Sequence, residues 1–95
     1  MDFLLDEGFS KEVINELINK YDESIIDQFI LDSYNVVEVI NYMREIGIKK
    51  IDQLLLTHIG VFLKDIDRVK AAFNKHDINE IVKDINDDIF NIENV

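Results

Sequence analysis

The carboxylates near the end of the chain come closest to the spacing of a metal site. Asp84, Asp87 and Asp88 could offer oxygen ligands to calcium. An EF-hand loop, however, needs a central glycine and a glutamate at its twelfth position. With Asp84 as the first ligand, those positions hold Ile89 and Val95. We therefore expect no EF-hand, and at most a nonspecific cation site of low affinity.

Histidine and nucleophile chemistry is equally sparse. His58 and His76 have no third histidine to complete a zinc site, and the chain has no cysteine for thiolate ligands or thiol catalysis. The sequence has neither a glycine-rich phosphate loop nor a Gly-x-Ser-x-Gly nucleophile turn. We predict a non-enzymatic protein with no catalytic, metal or cofactor site.

Basic residues are concentrated in the middle of the chain. Residues 1–43 carry a net charge of −8, residues 44–76 carry +3, and residues 77–95 carry −5. Lys64 and Arg68, four residues apart, would share a helix face and could follow a phosphate backbone. Alternatively, the bases only offset the acidic flanks as surface pairs that contribute about 0–1 kcal/mol each. The basic residues that could form a binding surface are Lys49, Lys50, Lys64, Arg68 and Lys75.

The total charge of −10 bears on the kind of partner. It repels phosphate backbones and anionic lipid surfaces, so nucleic acid is a disfavoured partner and we expect no membrane association. A protein that binds nucleic acid could instead be occupied by carboxylates that mimic phosphates. The residues predicted for such an acidic face are Asp2, Asp6, Glu7, Glu12, Glu16, Asp22, Glu23 and Asp27.

Four aromatic residues are candidates for a protein contact. Phe9, Tyr34, Tyr42 and Phe62 would anchor an interface if they were exposed. The alternative for each of them is a place in the core.

These side chains must be positioned by helices. Apolar residues recur at steps of three and four, as in Val13, Leu17 and Tyr21, and strict alternation is absent. Helices this short are marginal alone in water, so they must share one core. The sequence predicts an all-α domain over 1–95, a compact array of six or seven short helices, with two or three degenerate helical repeats as one interpretation.

Capping residues predict where the helices begin and end. Ser10 caps the first helix, Asn35 with Glu38 and Asp77 with Glu80 form capping boxes, and Gly47 is a C-terminal stop. The predicted helices extend from Ser10 to about 21, from Asp22 or Ser24 to 31, from Asn35 to 45, over 49–56, from Asp65 to 75, from Asp77 through Ile85, and over 87–92.

The composition disfavours disordered, all-β and membrane-spanning proteins. The chain is 47% apolar and 32% charged, with no proline and three glycines, which is typical of a globular helical protein. No apolar run approaches the roughly 20 residues that span a bilayer, and the N-terminus lacks the basic flank of a secretory signal. We expect a cytoplasmic location, and the abundance of Ile and Asn suggests a bacterial origin.

Residues 42–75 resemble one repeat of the mitochondrial transcription termination factor family. The Ile-Gly-Ile triplet at 46–48 matches the end of the repeat's first helix, and Val-Phe-Leu at 61–63 matches the apolar segment before its third helix. The proline common in that family is replaced by the segment 57–60. The resemblance implies a helical array that wraps nucleic acid, which would make the chain a fragment using the basic residues.

A second stretch is similar to ubiquitin-associated domains. Gly8-Phe9-Ser10 would be the first loop of that domain, and residues 35–43 its third helix. The resemblance implies a hydrophobic contact at Phe9, whereas the local alternative is that Phe9 staples the helix capped by Ser10.

We predict a small protein–protein interaction module whose partner is another protein. The alternatives are an acidic regulator of a nucleic-acid-binding protein and a nucleic-acid-binding repeat fragment.

Overall fold

The chain folds into helices joined by short connections. A computed structural model describes all residues, 1–95, and contains no β-strand, so the all-α prediction is confirmed. The eight α-helices and the C-terminal 3₁₀ helix are α1 (Asp2–Asp6), α2 (Lys11–Lys20), α3 (Glu23–Leu31), α4 (Ser33–Ile46), α5 (Ile51–Thr57), α6 (Ile59–Phe62), α7 (Ile66–Phe73), α8 (Ile78–Asp87) and the 3₁₀ helix Ile89–Asn94.

Several helix ends lie where local capping predicts them. Ser10 Oγ accepts a hydrogen bond from the backbone N–H of Val13 at 3.2 Å. Asp65 caps α7 and Asp77 caps α8 in the same way. Gly47 ends α4 with φ of 101°, a left-handed conformation that glycine adopts without steric cost.

The predicted capping box at the start of α4 is wrong. The helix begins at Ser33, so Asn35 lies inside its first turn and is not the cap. The Asn35 amide instead bonds to backbone groups of the connection between α6 and α7. A distant partner therefore uses the side chain that local spacing assigned to the helix end.

Two short helices lie outside the predicted set. The helices α1 and α6 contain five and four residues, respectively, and neither has a side chain that caps its N-terminus. With the 3₁₀ helix included, they bring the total to nine helices where six or seven were predicted. Segments this short do not form in isolation, so tertiary packing holds them.

The core is one cluster of 22 buried residues, all apolar, to which every helix contributes. Phe29, Phe62 and Phe73 are the largest of its fully buried side chains. The Cα radius of gyration is 12.8 Å, close to the value of about 12 Å expected for a compact domain of this length. The helices thus pack around a common centre.

Candidate interaction surface

The junction of α3 and α4 exposes large apolar side chains. Leu31 is 79% exposed, Tyr34 is 91% exposed and Ile30 is 42% exposed. Beside them, Ser33, Tyr34 and Val37 line a shallow, almost wholly apolar depression of about 180 Å³. We call the four residues Ile30, Leu31, Tyr34 and Val37 the α3–α4 corner.

Local geometry explains why these side chains stay outside. A single residue, Asp32, separates the two helices, so the chain turns sharply between Leu31 and Ser33. On either side of the turn, Phe29 of α3 and Val36 of α4 are the nearest residues that are buried in the core. Three successive apolar residues end α3, and a helix cannot direct all three of them toward the core.

Carboxylates flank this corner. Asp27, Asp32 and Glu38 lie nearby in sequence, and no lysine or arginine occurs between residues 21 and 43. The two ion pairs of the structure, Arg44 with Glu7 and His58 with Glu93, involve none of these three carboxylates. Asp32 accepts one hydrogen bond, from Gln28 Nε2 at 2.8 Å. The corner is therefore apolar, and the charged side chains nearest to it in sequence are carboxylates.

Asn35 fixes the corner to the rest of the fold. Its Nδ2 donates to the Lys64 carbonyl at 2.6 Å and lies 3.5 Å from the Phe62 carbonyl, while its Oδ1 accepts from the Ile66 N–H at 2.9 Å. Since Asn35 is adjacent to Tyr34, these bonds hold the first turn of α4 against the connection between α6 and α7. The backbone beneath Tyr34 is thus held in place by hydrogen bonds to a distant part of the chain.

Phe9 does not belong to an exposed surface, so the structure contradicts the expectation of a contact there. It is 9% exposed, and the Arg44 guanidinium lies 5.4 Å from the centre of its ring. Arg44 also bonds to the side chain and the carbonyl of Glu7. Phe9 is held between the core and this cation.

Phe62 and Tyr42 are not exposed either, although both were candidates for a protein contact. Phe62 is fully buried, so the expectation that it could be exposed is wrong. Tyr42 is half-buried, packs edge-on against Phe73 at 5.8 Å, and has Lys70 Nζ 5.7 Å from its ring. Burial, with a smaller contribution from the Glu45 charge, raises the pKa of Tyr42 above its usual value of 10.0.

The predicted basic residues are exposed but dispersed. Lys64 precedes α7, so the prediction that Lys64 and Arg68 share a helix face is wrong. Of the five basic candidates, only Arg68 is in a helix, because Lys49, Lys50, Lys64 and Lys75 lie in connections. Lys49 lines the groove beside Phe9, whereas Lys64 lines a different groove. The structure does not assemble these bases into one strip.

The groove that Lys64 lines also contains His58. It has a volume of about 310 Å³ and is mostly apolar, with His58 and Glu93 at its polar side. His58 Nδ1 lies 2.7 Å from Thr57 Oγ1, and Nε2 lies 3.3 Å from Glu93 Oε2. The ring therefore contacts two side chains, those of Thr57 and Glu93. No group of three or more His, Asp or Glu side chains is arranged to hold a metal ion.

Comparisons with known proteins add no relative. No protein-family profile, curated protein or solved structure matches this chain. None of the helices has both the length and the apolar character needed to cross a bilayer. The resemblances at 42–75 and around Phe9 stay predictions.

Sequence reasoning selected Tyr34 but missed Leu31 and Ile30. A signal was available in the run Phe29-Ile30-Leu31, because only part of such a run can face one core. The position of the helix boundary decides which of these residues remains outside, and that boundary depends on a one-residue connection.

Proposed function

We propose that this chain is a non-enzymatic protein–protein interaction module of the cytoplasm, and that its contact surface is the α3–α4 corner. The observation that carries the proposal is the exposure of Leu31 and Tyr34, which lie three residues apart on either side of the one-residue connection. Every buried residue of the fold is apolar. No polar side chain therefore occupies a place in the core that Leu31 or Tyr34 could have filled. Adjacent exposed apolar side chains of this size are typical of contact sites.

The composition of the corner suits a protein partner. Tyrosine is enriched among the residues that dominate binding energy, because it buries a large area and still offers a hydroxyl. Leu31 adds aliphatic surface beside it. The bonds of Asn35 support the backbone under Tyr34, which reduces the entropy lost when a partner binds.

Site-specific photo-crosslinking tests this proposal. Benzoylphenylalanine replaces Tyr34, which it resembles in shape, and the chain is illuminated in an extract of its own cells. We expect a discrete adduct with another protein. The adduct should disappear when Leu31→Ser is added, because that change removes the apolar contact without touching the core.

A matched probe at Glu16, an exposed residue on α2, is the control. An adduct that forms equally from position 16, or that survives Leu31→Ser, contradicts the proposal. The absence of any adduct from position 34 contradicts it as well. A chain crosslinked to its own copy would replace the proposed partner by self-association.

A second candidate function is an acidic regulator that occupies a nucleic-acid-binding protein. Of the eight carboxylates predicted for its acidic face, only Glu7 has a cation partner, so the other seven remain unpaired. Capture of a DNA-binding protein that is released by raised salt and is unaffected by Leu31→Ser would favour this function over the corner.

A further inference from the structure

We infer that the α3–α4 corner binds a basic amphipathic segment of a partner protein, with one apolar side chain in its depression and lysine or arginine residues at both ends. This inference rests on the proposed function and adds the chemistry of the partner to it. It is carried by the arrangement of charges around the corner.

Carboxylates lie one helical turn away from the apolar residues on both sides. Asp27 precedes Ile30 and Leu31 by three and four residues, so it shares their side of α3. Glu38 follows Tyr34 by four residues and shares its side of α4. Along the chain, the exposed apolar residues thus have a carboxylate on either side, which matches a segment with an apolar centre and positive ends.

No ion pair compensates these charges, although Glu38 lines a shallow depression together with Lys70. The nearest basic residues along the chain are Lys20 and Arg44, outside both ends of this region, and Arg44 is paired with Glu7. Asp27 and Glu38 are exposed and take part in no ion pair. Their field therefore attracts cationic partners and disfavours acidic ones, with consequences for both association rate and specificity.

The size of the depression indicates a side chain as its occupant. Its volume of about 180 Å³ is below the roughly 300 Å³ at which small-molecule pockets begin. Its lining by Ser33, Tyr34 and Val37 is open and apolar. One large apolar side chain, presented by a helix or an extended segment, fits this description better than a metabolite does.

The same charges argue against other occupants. A nucleic acid or an anionic membrane would meet the carboxylates at Asp27, Asp32 and Glu38 with its own negative charge. A second copy of this chain would bring the same net charge of −10, and its basic residues are divided among several helices and connections.

Selection from a displayed library of random peptides tests the inference. Peptides of about 16 residues, long enough for roughly four helical turns, are selected on the immobilised full chain. Peptides that also bind the variant Leu31→Ser/Tyr34→Ser are discarded. We expect the remaining pool to combine a large apolar residue with an excess of lysine and arginine over aspartate and glutamate.

Fluorescence anisotropy with one selected peptide then measures the contributions. Leu31→Ser should weaken binding by about tenfold or more, as expected for a central contact. The pair Asp27→Asn/Glu38→Gln should weaken it about 3- to 10-fold at low salt, and this loss should shrink as salt is raised. The control pair Glu12→Gln/Glu16→Gln removes the same charge from exposed positions on α2 and should have a much smaller effect.

Three results would overturn the inference. These are a selected pool without basic excess, equal effects of the two charge-removing pairs, and no pool that depends on Leu31 and Tyr34. Binding of the free full chain to the immobilised one would identify a second copy as the occupant and would also overturn it. In the first three cases the proposed function would still stand if the photo-crosslinking probe at position 34 formed an adduct with another protein.

Discussion

Two connections between helices have large apolar residues in or next to them, and these residues are buried at one connection and exposed at the other. Between α1 and α2, residues 7–10 hold Phe9, which is nearly buried. On either side of the connection between α3 and α4, Leu31 and Tyr34 are among the most exposed apolar residues of the chain. Both connections are short and both lie within the acidic first half of the sequence.

A residue that is remote in sequence contributes to this difference. Arg44 reaches from the last turn of α4, lies over the Phe9 ring and pairs with Glu7, so the α1–α2 connection is covered and its charge is compensated. No basic side chain has this position at the α3–α4 corner. An apolar residue near a carboxylate is therefore covered by a cation in one place and exposed in the other.

The largest contrast should appear in stability. Phe9→Ala should lower the free energy of unfolding by about 3 kcal/mol, because it leaves a cavity next to the core. Tyr34→Ala should change it by less than about 0.5 kcal/mol, because its ring contacts mainly solvent. Urea denaturation followed by circular dichroism measures both values. Equal losses would remove the distinction between the two connections.

The next largest loss of stability should follow from changing Asn35, which holds the first turn of α4. Asn35→Asp should cost about 2 kcal/mol, since a carboxylate can accept from Ile66 N–H but cannot donate to the carbonyls of Phe62 and Lys64. Asn41→Asp, at an exposed position of the same helix, is the control. The same denaturation experiment compares them. If the two variants unfold at the same urea concentration, Asn35 does not hold the corner.

Removing the cover over Phe9 should have a smaller effect. Arg44→Gln should cost about 1 kcal/mol, because it removes a cation from the ring face and a partly exposed ion pair. Arg68→Gln, exposed on α7, should cost close to nothing. Thermal unfolding at low and high salt is the measurement. A loss of the same size in both variants would mean that Arg44 is not a specific cover.

The smallest effect concerns the pH dependence of the half-buried tyrosine. Since the raised pKa of Tyr42 favours its neutral form in the folded state, this contribution to stability is present at lower pH and is lost as pH rises through that pKa. Above about pH 10, the wild type should therefore lose slightly more stability than Tyr42→Phe. Ultraviolet titration of the two proteins should give a difference with a midpoint above 10.0. A midpoint below that value would contradict the effect of burial.

The sequence predicts those features of the fold that depend on neighbouring residues. Ser10, Asp65 and Asp77 cap helices because their side chains reach backbone groups within three residues. Gly47 ends α4 because few other residues adopt its conformation. Apolar spacing likewise predicts the all-α class.

Features that depend on distant contacts were not predictable in this way. Asn35 has the spacing of a cap, yet its partners lie 27 to 31 residues away. Phe9 and Tyr34 are both aromatic residues near helix starts, yet Phe9 joins the core cluster and is covered by Arg44, whereas Tyr34 is exposed. Leu31 continues a regular apolar pattern, and nothing in that pattern indicates which of its members the fold leaves uncovered.

The accessibility of the corner tests the central claim most directly. Because the chain has no cysteine, Ile30→Cys introduces a single thiol at the corner and leaves Leu31 and Tyr34 in place. Labelling with a maleimide should be fast in the purified protein and slow in an extract of its own cells, and Leu31→Ser should restore the fast rate. A thiol at position 30 that reacts equally fast in both settings, as Glu16→Cys should, would contradict the claim that a partner covers this surface.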